Sequence, residues 1–151
     1  MESFQHCRTL IVDENILACA LLEETLKLLG FRVIHTASRL DTAHHLIREA
    51  QYDLVLLDWP SNRDLLKALR GEQNRQSPAI VATGFDKDPR SRLAIIQDGA
   101  DAYINAPFSK VQVLITMEYV LKDFLSPPWH LRLYSPATAA LGPSSPIVSR
   151  S

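Results

Sequence analysis

An α/β fold, a doubly wound five-stranded parallel sheet of (βα)5 type with strand order 2-1-3-4-5, is what the sequence predicts, and three observations carry it. Short aliphatic runs alternate with helical segments five times along the chain, the pattern that gives a parallel sheet covered on both faces by right-handed crossovers. One run, Leu54-Val55-Leu56-Leu57, is unbroken, as befits a central strand with neither face in water. Four of the runs end on polar residues, at Asp13, Asp58, Thr83 and Asn105, and ligands of open parallel sheets bind just beyond the carboxyl ends of the strands.

Arg8-Thr9-Leu10-Ile11-Val12 is the first strand, halted by Asp13-Glu14-Asn15. A helix follows from about Ile16 to Leu29, with Leu17, Leu21, Leu22, Leu26 and Leu29 at helical spacing and Gly30 as its C-terminal stop. The second strand, Phe31 to Ala37, carries charged and polar members and is placed at an edge. Asp41 opens a mostly polar second helix that runs to Ala50. After the central strand, which ends on Asp58, a short helix spans Ser61 to Gly71. Pro78 to Thr83 is the fourth strand, and Asp88-Pro89 starts the fourth helix in the favoured N-cap and N1 order, carrying Leu93, Ile95 and Ile96 towards Gly99. Ala102-Tyr103-Ile104-Asn105 is the fifth strand, and Ser109 caps a last helix reaching about Leu125.

Residues 1–125 thus make one domain. Residues 126–151, with prolines at 127, 128, 136, 143 and 146 among Ser, Ala and Gly, read as a tail too short and too polar to fold by itself. A hydrophobic content of 46% and a charged content of 22% are those of a soluble domain, and the net charge of −1 gives no electrostatic footprint for nucleic acid or an anionic membrane. The start of the chain lacks a signal-peptide pattern and no apolar run approaches the roughly 20 residues of a membrane span, so the expectation is cytoplasmic. Cys7 and Cys19 have no framework spacing, which suits a reducing compartment, though one bridge between them is open.

The order 2-1-3-4-5, which is flavodoxin-like, brings the ends of the first, third, fourth and fifth strands around one crevice. Asp13, Glu14 and Asp58 there repel one another, and a hard divalent cation relieves that repulsion. Magnesium fits, because it takes a few carboxylates plus waters and an incoming phosphate. With a cation beside it, Asp58 is a plausible phosphoryl acceptor.

On these residues the chain resembles a receiver domain of the bacterial two-component response regulators over about residues 7–125. The fragments that match are Ile11-Val12-Asp13-Glu14, Leu54-Val55-Leu56-Leu57-Asp58, Ala82-Thr83-Gly84, and Gly99-Ala100-Asp101-Ala102-Tyr103 leading to Pro107-Phe108. The resemblance implies that Asp58 is phosphorylated and that Asp13, Glu14, Asp58 and the backbone carbonyl of Pro60 hold Mg2+. It further implies that Thr83 binds a phosphoryl oxygen and that Tyr103 is the rotating aromatic of the switch. Histidine kinases or phosphotransfer proteins are the implied donors and a downstream protein the implied target; the fold is then a signalling module rather than an enzyme.

The chain departs from that pattern twice. Ala106 stands where receivers carry the lysine that pairs with the phosphoryl group, and the segment after Asp58 lacks the usual methionine-proline-glycine-aspartate-glycine stretch. Lys87 and Arg63 are the nearest cations in sequence to stand in for the lysine. Several readings stay open. Asp13 and Asp58 could be helix caps, Thr83 an ordinary strand-end residue, and Tyr103 a half-buried aromatic. His44 and His45 are helical neighbours that do not share a face, which disfavours joint metal ligation. Trp59 is a packing residue and reporter at the crevice rim, and Trp129 either docks on the domain or serves a partner.

The function expected is a stand-alone, atypical receiver in phosphorelay signalling that switches its protein interactions. The alternative is a pseudo-receiver, a constitutive interaction module indifferent to phosphorylation. A flavodoxin-like enzyme or nucleotide binder fits less well, because Asp13-Glu14 occupies the place of a glycine-rich phosphate loop.

Overall fold

The computed structural model describes residues 4–71 and 77–122. Five strands, β1 (Arg8–Val12), β2 (Val33–Ala37), β3 (Leu54–Asp58), β4 (Ala79–Gly84) and β5 (Ala102–Asn105), alternate with helices α1 (Ile16–Leu28), α2 (Leu40–Glu49), α3 (Arg63–Gly71), α4 (Pro89–Gln97) and α5 (Lys110–Val120). The strands form one parallel sheet in the order β2-β1-β3-β4-β5, so β2 is an edge and β3 the centre. Leu54 to Leu57 are fully buried, which is why that run needs no polar alternation.

The pleat divides the core. Leu10, Val12, Val55, Leu57, Ile80, Ala82 and Tyr103 turn to one face and pack with Ala43 of α2, Leu65, Leu66 and Leu69 of α3 and Ile95 of α4. Intervening strand residues such as Ile11, Leu56, Val81 and Ile104 turn the other way, to the face where α1 and α5 meet β1 and β5.

Register sets the geometry of the crevice. Val12 lies opposite Leu57, Leu57 opposite Ala82 and Ala82 opposite Tyr103. One step further along the strands Asp58 lies opposite Thr83, with Asp13 directly following the end of β1.

Several boundaries differ from the sequence expectation for identifiable reasons. Gly30 adopts φ 102°, its N–H bonds the Lys27 carbonyl and the Phe31 N–H bonds the Leu26 carbonyl, a Schellman turn. Phe31 therefore belongs to the helix stop, stacked on Phe4 at 4.5 Å between ring centroids, and β2 begins at Val33. The same motif closes α4, with Gly99 at φ 118° and the Ala100 N–H on the Ile95 carbonyl.

Helix α1 docks through Cys19, Leu22, Leu26 and Leu29, while Leu17 and Leu21 are 68% and 58% exposed. The chain supplies more leucines than one buried stripe uses. In α4 only Ile95 is buried, and Leu93 and Ile96 face solvent. Helix α2 starts at Leu40 rather than on Asp41, whose carboxylate instead accepts from the Thr42 N–H and pairs with Arg39. Helix α3 starts at Arg63 rather than Ser61, and α5 ends at Val120. Cys7 and Cys19 are both buried and free. The proposed tail, 126–151 with Trp129, and the expected last residues of α5 lie outside the described residues.

Candidate functional site

The site is built where β1, β3, β4 and β5 end. Asp58 closes β3 and is half-buried, and Asp13 is 7% exposed. Burial, and then the negative fields of Asp13 and Glu14, push the Asp58 carboxyl up to about 6. Asp13 is raised in the same direction, chiefly by burial, against a hydrogen bond from the Asn15 N–H that favours its ionised form. The charges of Asp13 and Glu14 are thus felt at Asp58.

Capping does not account for the two aspartates. Asn15 is the N-cap of α1, its side chain accepting from the Ala18 N–H at 3.0 Å. Asp13 Oδ1 accepts from the Asn15 N–H at 2.9 Å, which fixes the carboxyl's orientation. At the start of α3 the Asp58 main-chain carbonyl, not its side chain, takes the bonds from Asn62, from the backbone N–H at 3.0 Å and from Nδ2 at 3.1 Å. The Asp58 carboxyl stays available.

Thr83 is 5% exposed, and its hydroxyl reaches the Leu57 carbonyl only at 3.5 Å, the weak limit of a hydrogen bond. A buried hydroxyl so loosely held can be recruited by a stronger acceptor. Tyr103 is turned inward, 6% exposed; its hydroxyl donates to the Asp86 carbonyl at 2.9 Å and accepts from the Asp86 N–H at 3.0 Å. The Arg92 guanidinium lies 5.6 Å from its ring centroid. Gly84 makes room for this, since a Cβ there would stand 2.9 Å from Tyr103 Oη and 3.0 Å from the Trp59 carbonyl oxygen.

Ala106 holds the strand end through its N–H on the Gly84 carbonyl at 2.7 Å, and the Ala106-Pro107 bond is cis, as is Trp59-Pro60. The Pro60 carbonyl accepts from the Arg63 N–H at 3.1 Å, leaving one lone pair for another partner. Arg63 is committed elsewhere. Its guanidinium binds Asp98, Nε to Oδ2 at 2.7 Å, because that carboxylate is almost enclosed and sits at the negative end of α4, so it needs a cation. The Trp59 indole N–H also points at Asp98, at 3.4 Å. Lys87 is exposed in the loop after β4, His45 is exposed on α2 and His44 half-buried.

The donors suit a hard cation in kind, all being oxygens. Among the described residues no three His, Cys, Asp or Glu side chains close on one point.

Sequence reasoning missed three features: Asn62 clamping the Asp58 carbonyl, the Trp59–Asp98–Arg63 cluster, and a cavity of about 460 Å³ whose wall includes Glu14, Arg39, Asp41 and Asn62. The signal for Asn62 was there, since an amide just before a helix is a capping residue type. The other two unite residues from separate loops and have no local signature.

Comparison with known proteins bears on the whole arrangement. The family described as response regulator receiver domain matches residues 9–118. The transcriptional regulatory protein SrrA of Staphylococcus aureus is 31% identical over 115 residues, covering 75% of this chain and 47% of that protein. The phosphate regulon transcriptional regulatory protein PhoB of Klebsiella pneumoniae is 28% identical over 124 residues, 76% of this chain and 52% of its own length. The chain thus spans about half the length of the curated relatives it matches. Among solved structures, a putative response regulator from Chloroflexus aurantiacus superposes with a TM-score of 0.70 at 22% identity, covering 77% of this chain and 98% of its own. The chemotaxis response regulator CheY4 of Vibrio cholerae gives 0.68 at 22%, covering 76% and 98%. At such identities these two likenesses concern the fold.

Proposed function

The chain belongs to the response regulator receiver family, and from that premise we propose that it accepts a phosphoryl group on Asp58 and thereby changes which proteins it binds. Receiver domains are signalling modules that generally bind Mg2+ at the phosphorylation site. The observation that carries the reading here is the arrangement of Asp13, Asp58 and Thr83 at adjacent strand ends, with the acceptor carboxyl left out of helix capping.

In this reading a carboxylate oxygen of Asp58 bonds to the donor's phosphorus, the donor's own bond to phosphorus breaks, and an acyl phosphate remains. Mg2+, when bound, would neutralise charge on the transferring group. Asp13 and Glu14, with Asp58 and the free lone pair of the Pro60 carbonyl, would hold it. Thr83 would leave its weak contact with Leu57 for a phosphoryl oxygen, and Tyr103 follows the β4–α4 loop through its two bonds to Asp86. The face formed by α4, β5 and α5 is then remodelled, a population shift between two states. Histidine kinases or phosphotransfer proteins would donate, and a protein target would read the change.

Trp59, next to the acceptor, gives the test. Mg2+ followed by acetyl phosphate should change its fluorescence in wild type and not in Asp58→Asn. The missing lysine at Ala106 favours a second reading, a phosphorylation-independent interaction module. That reading predicts partner binding unchanged by Asp58→Asn and by magnesium.

A further inference from the structure

Ala106 stands where the family carries a fixed cation, and neither cation nearest in sequence lines the cavity beside Asp58: Arg63 is held by the nearly enclosed Asp98 and Lys87 lies in the loop after β4. The cavity beside the site holds a third. Its wall brings together Glu14 from the end of β1, Arg39 and Asp41 from the start of α2, and Ser61 and Asn62 from the loop after β3. Two of these touch the acceptor's surroundings directly. Asn62 donates twice to the Asp58 carbonyl, and Glu14 follows Asp13 in the acidic pair.

Arg39 is free to respond. Its guanidinium rests on Asp41, Nε to Oδ1 and Nη2 to Oδ2 both at 3.2 Å, but the two side chains are 75% and 71% exposed, so water and salt screen the pair and it contributes little. It makes no cap for α2. A cavity of about 460 Å³ gives the long, flexible stem room to turn inward. A dianionic phosphoryl group on Asp58 offers the planar guanidinium fork a doubly charged, multidentate partner that a lone exposed carboxylate does not match.

We propose that Arg39 is the cation that neutralises phosphoryl-Asp58, exchanging Asp41 for the phosphoryl oxygens across this cavity and so replacing, from the opposite side of the acceptor, the lysine for which Ala106 stands. The inference rests on the phosphoacceptor reading above. Arg39 makes and breaks no covalent bond. With acetyl phosphate as donor, one Asp58 oxygen bonds to phosphorus, the bond from phosphorus to the acetate oxygen breaks, and acetate departs with the electron pair.

The test is the yield and lifetime of the adduct by intact-protein mass, with Mg2+ and acetyl phosphate, in wild type, Arg39→Gln, Arg39→Lys and Asp41→Asn. Arg39 and Asp41 are surface residues, and a thermal melt of each variant shows that it is folded. Arg39→Gln should lower the adduct fraction or shorten its lifetime by about tenfold, the scale of losing one charge-assisted contact. Arg39→Lys, which keeps the charge but not the fork, should fall between wild type and Arg39→Gln, and Asp41→Asn, whose screened pair with Arg39 contributes little, should stay at or slightly above the wild-type value. An adduct in wild type whose yield and lifetime are matched by Arg39→Gln overturns the inference and leaves the acceptor intact. No adduct in wild type overturns the acceptor reading and the inference together.

Discussion

Gly84 and Tyr103 are in such close apposition that a Cβ on the one would stand 2.9 Å from the hydroxyl oxygen of the other. The same Cβ would meet the Trp59 carbonyl at 3.0 Å, so the glycine joins the chain just after Asp58 to the aromatic expected to switch. Gly84→Ala should push Tyr103 from its buried place, breaking its bonds to Asp86, or displace the loop after Asp58. Overpacking of this kind costs about 1–3 kcal/mol, and denaturant unfolding measures it. Increased solvent quenching of tyrosine emission would report that Tyr103 has moved outward.

The pH dependence follows from Asp58. Its carboxyl is raised to about 6 in the folded chain, against 3.8 ordinarily, so the folded state holds the proton more tightly than the unfolded state. The stability this contributes is full below about 3.8 and is lost as pH rises through 6. Asp58→Asn, which keeps the shape of the protonated form, should therefore be the more stable protein at pH 8, by on the order of 1–2 kcal/mol once partial exposure is discounted. Melting curves at pH 5 and pH 8 check this, with the gap narrowing at the lower pH.

On the proposed reading magnesium would compete with the same protons. Its addition should raise the melting temperature of wild type at pH 8, fade as pH falls through about 6 and be weak or absent in Asp58→Asn, since ligands that bind only the folded state stabilise it by mass action. Asp13→Asn should show the same loss.

Asp98 anchors Trp59, the residue next to Asp58. Removing it in Asp98→Ala frees Arg63 from its 2.7 Å ion pair and the Trp59 indole from its 3.4 Å contact. We expect a red-shifted Trp59 emission and a loss of about 1 kcal/mol, the usual scale for such a contact. Emission unchanged from wild type would mean that Asp98 does not position the indole.

How much of this was legible in the sequence depends on range. The strands, their order and the ends at Asp13, Asp58 and Thr83 follow from alternating aliphatic runs, because burial on both faces of β3 leaves no other use for Leu54 to Leu57. Helix ends were legible as glycines, but not that Phe31 would complete the Schellman turn instead of entering β2. Apolar periodicity overstated α1 and α4, where Leu17, Leu21, Leu93 and Ile96 share the spacing of core residues yet face water. Arg63 looked available because sequence distance says nothing of Asp98, thirty-five positions away. Arg39 went unnoticed for the mirror reason, since the cavity it shares with Glu14 and Asn62 forms only when the loops after β1, β2 and β3 come together in the fold.

The central claim is that Asp58 takes a phosphoryl group, and intact-protein mass after incubation with Mg2+ and acetyl phosphate tests it most directly. The account predicts a gain of one phosphoryl group in wild type, abolished by Asp58→Asn and by chelating the metal. Folded wild-type protein that gains no mass would contradict it, and the domain would then act as a constitutive interaction module.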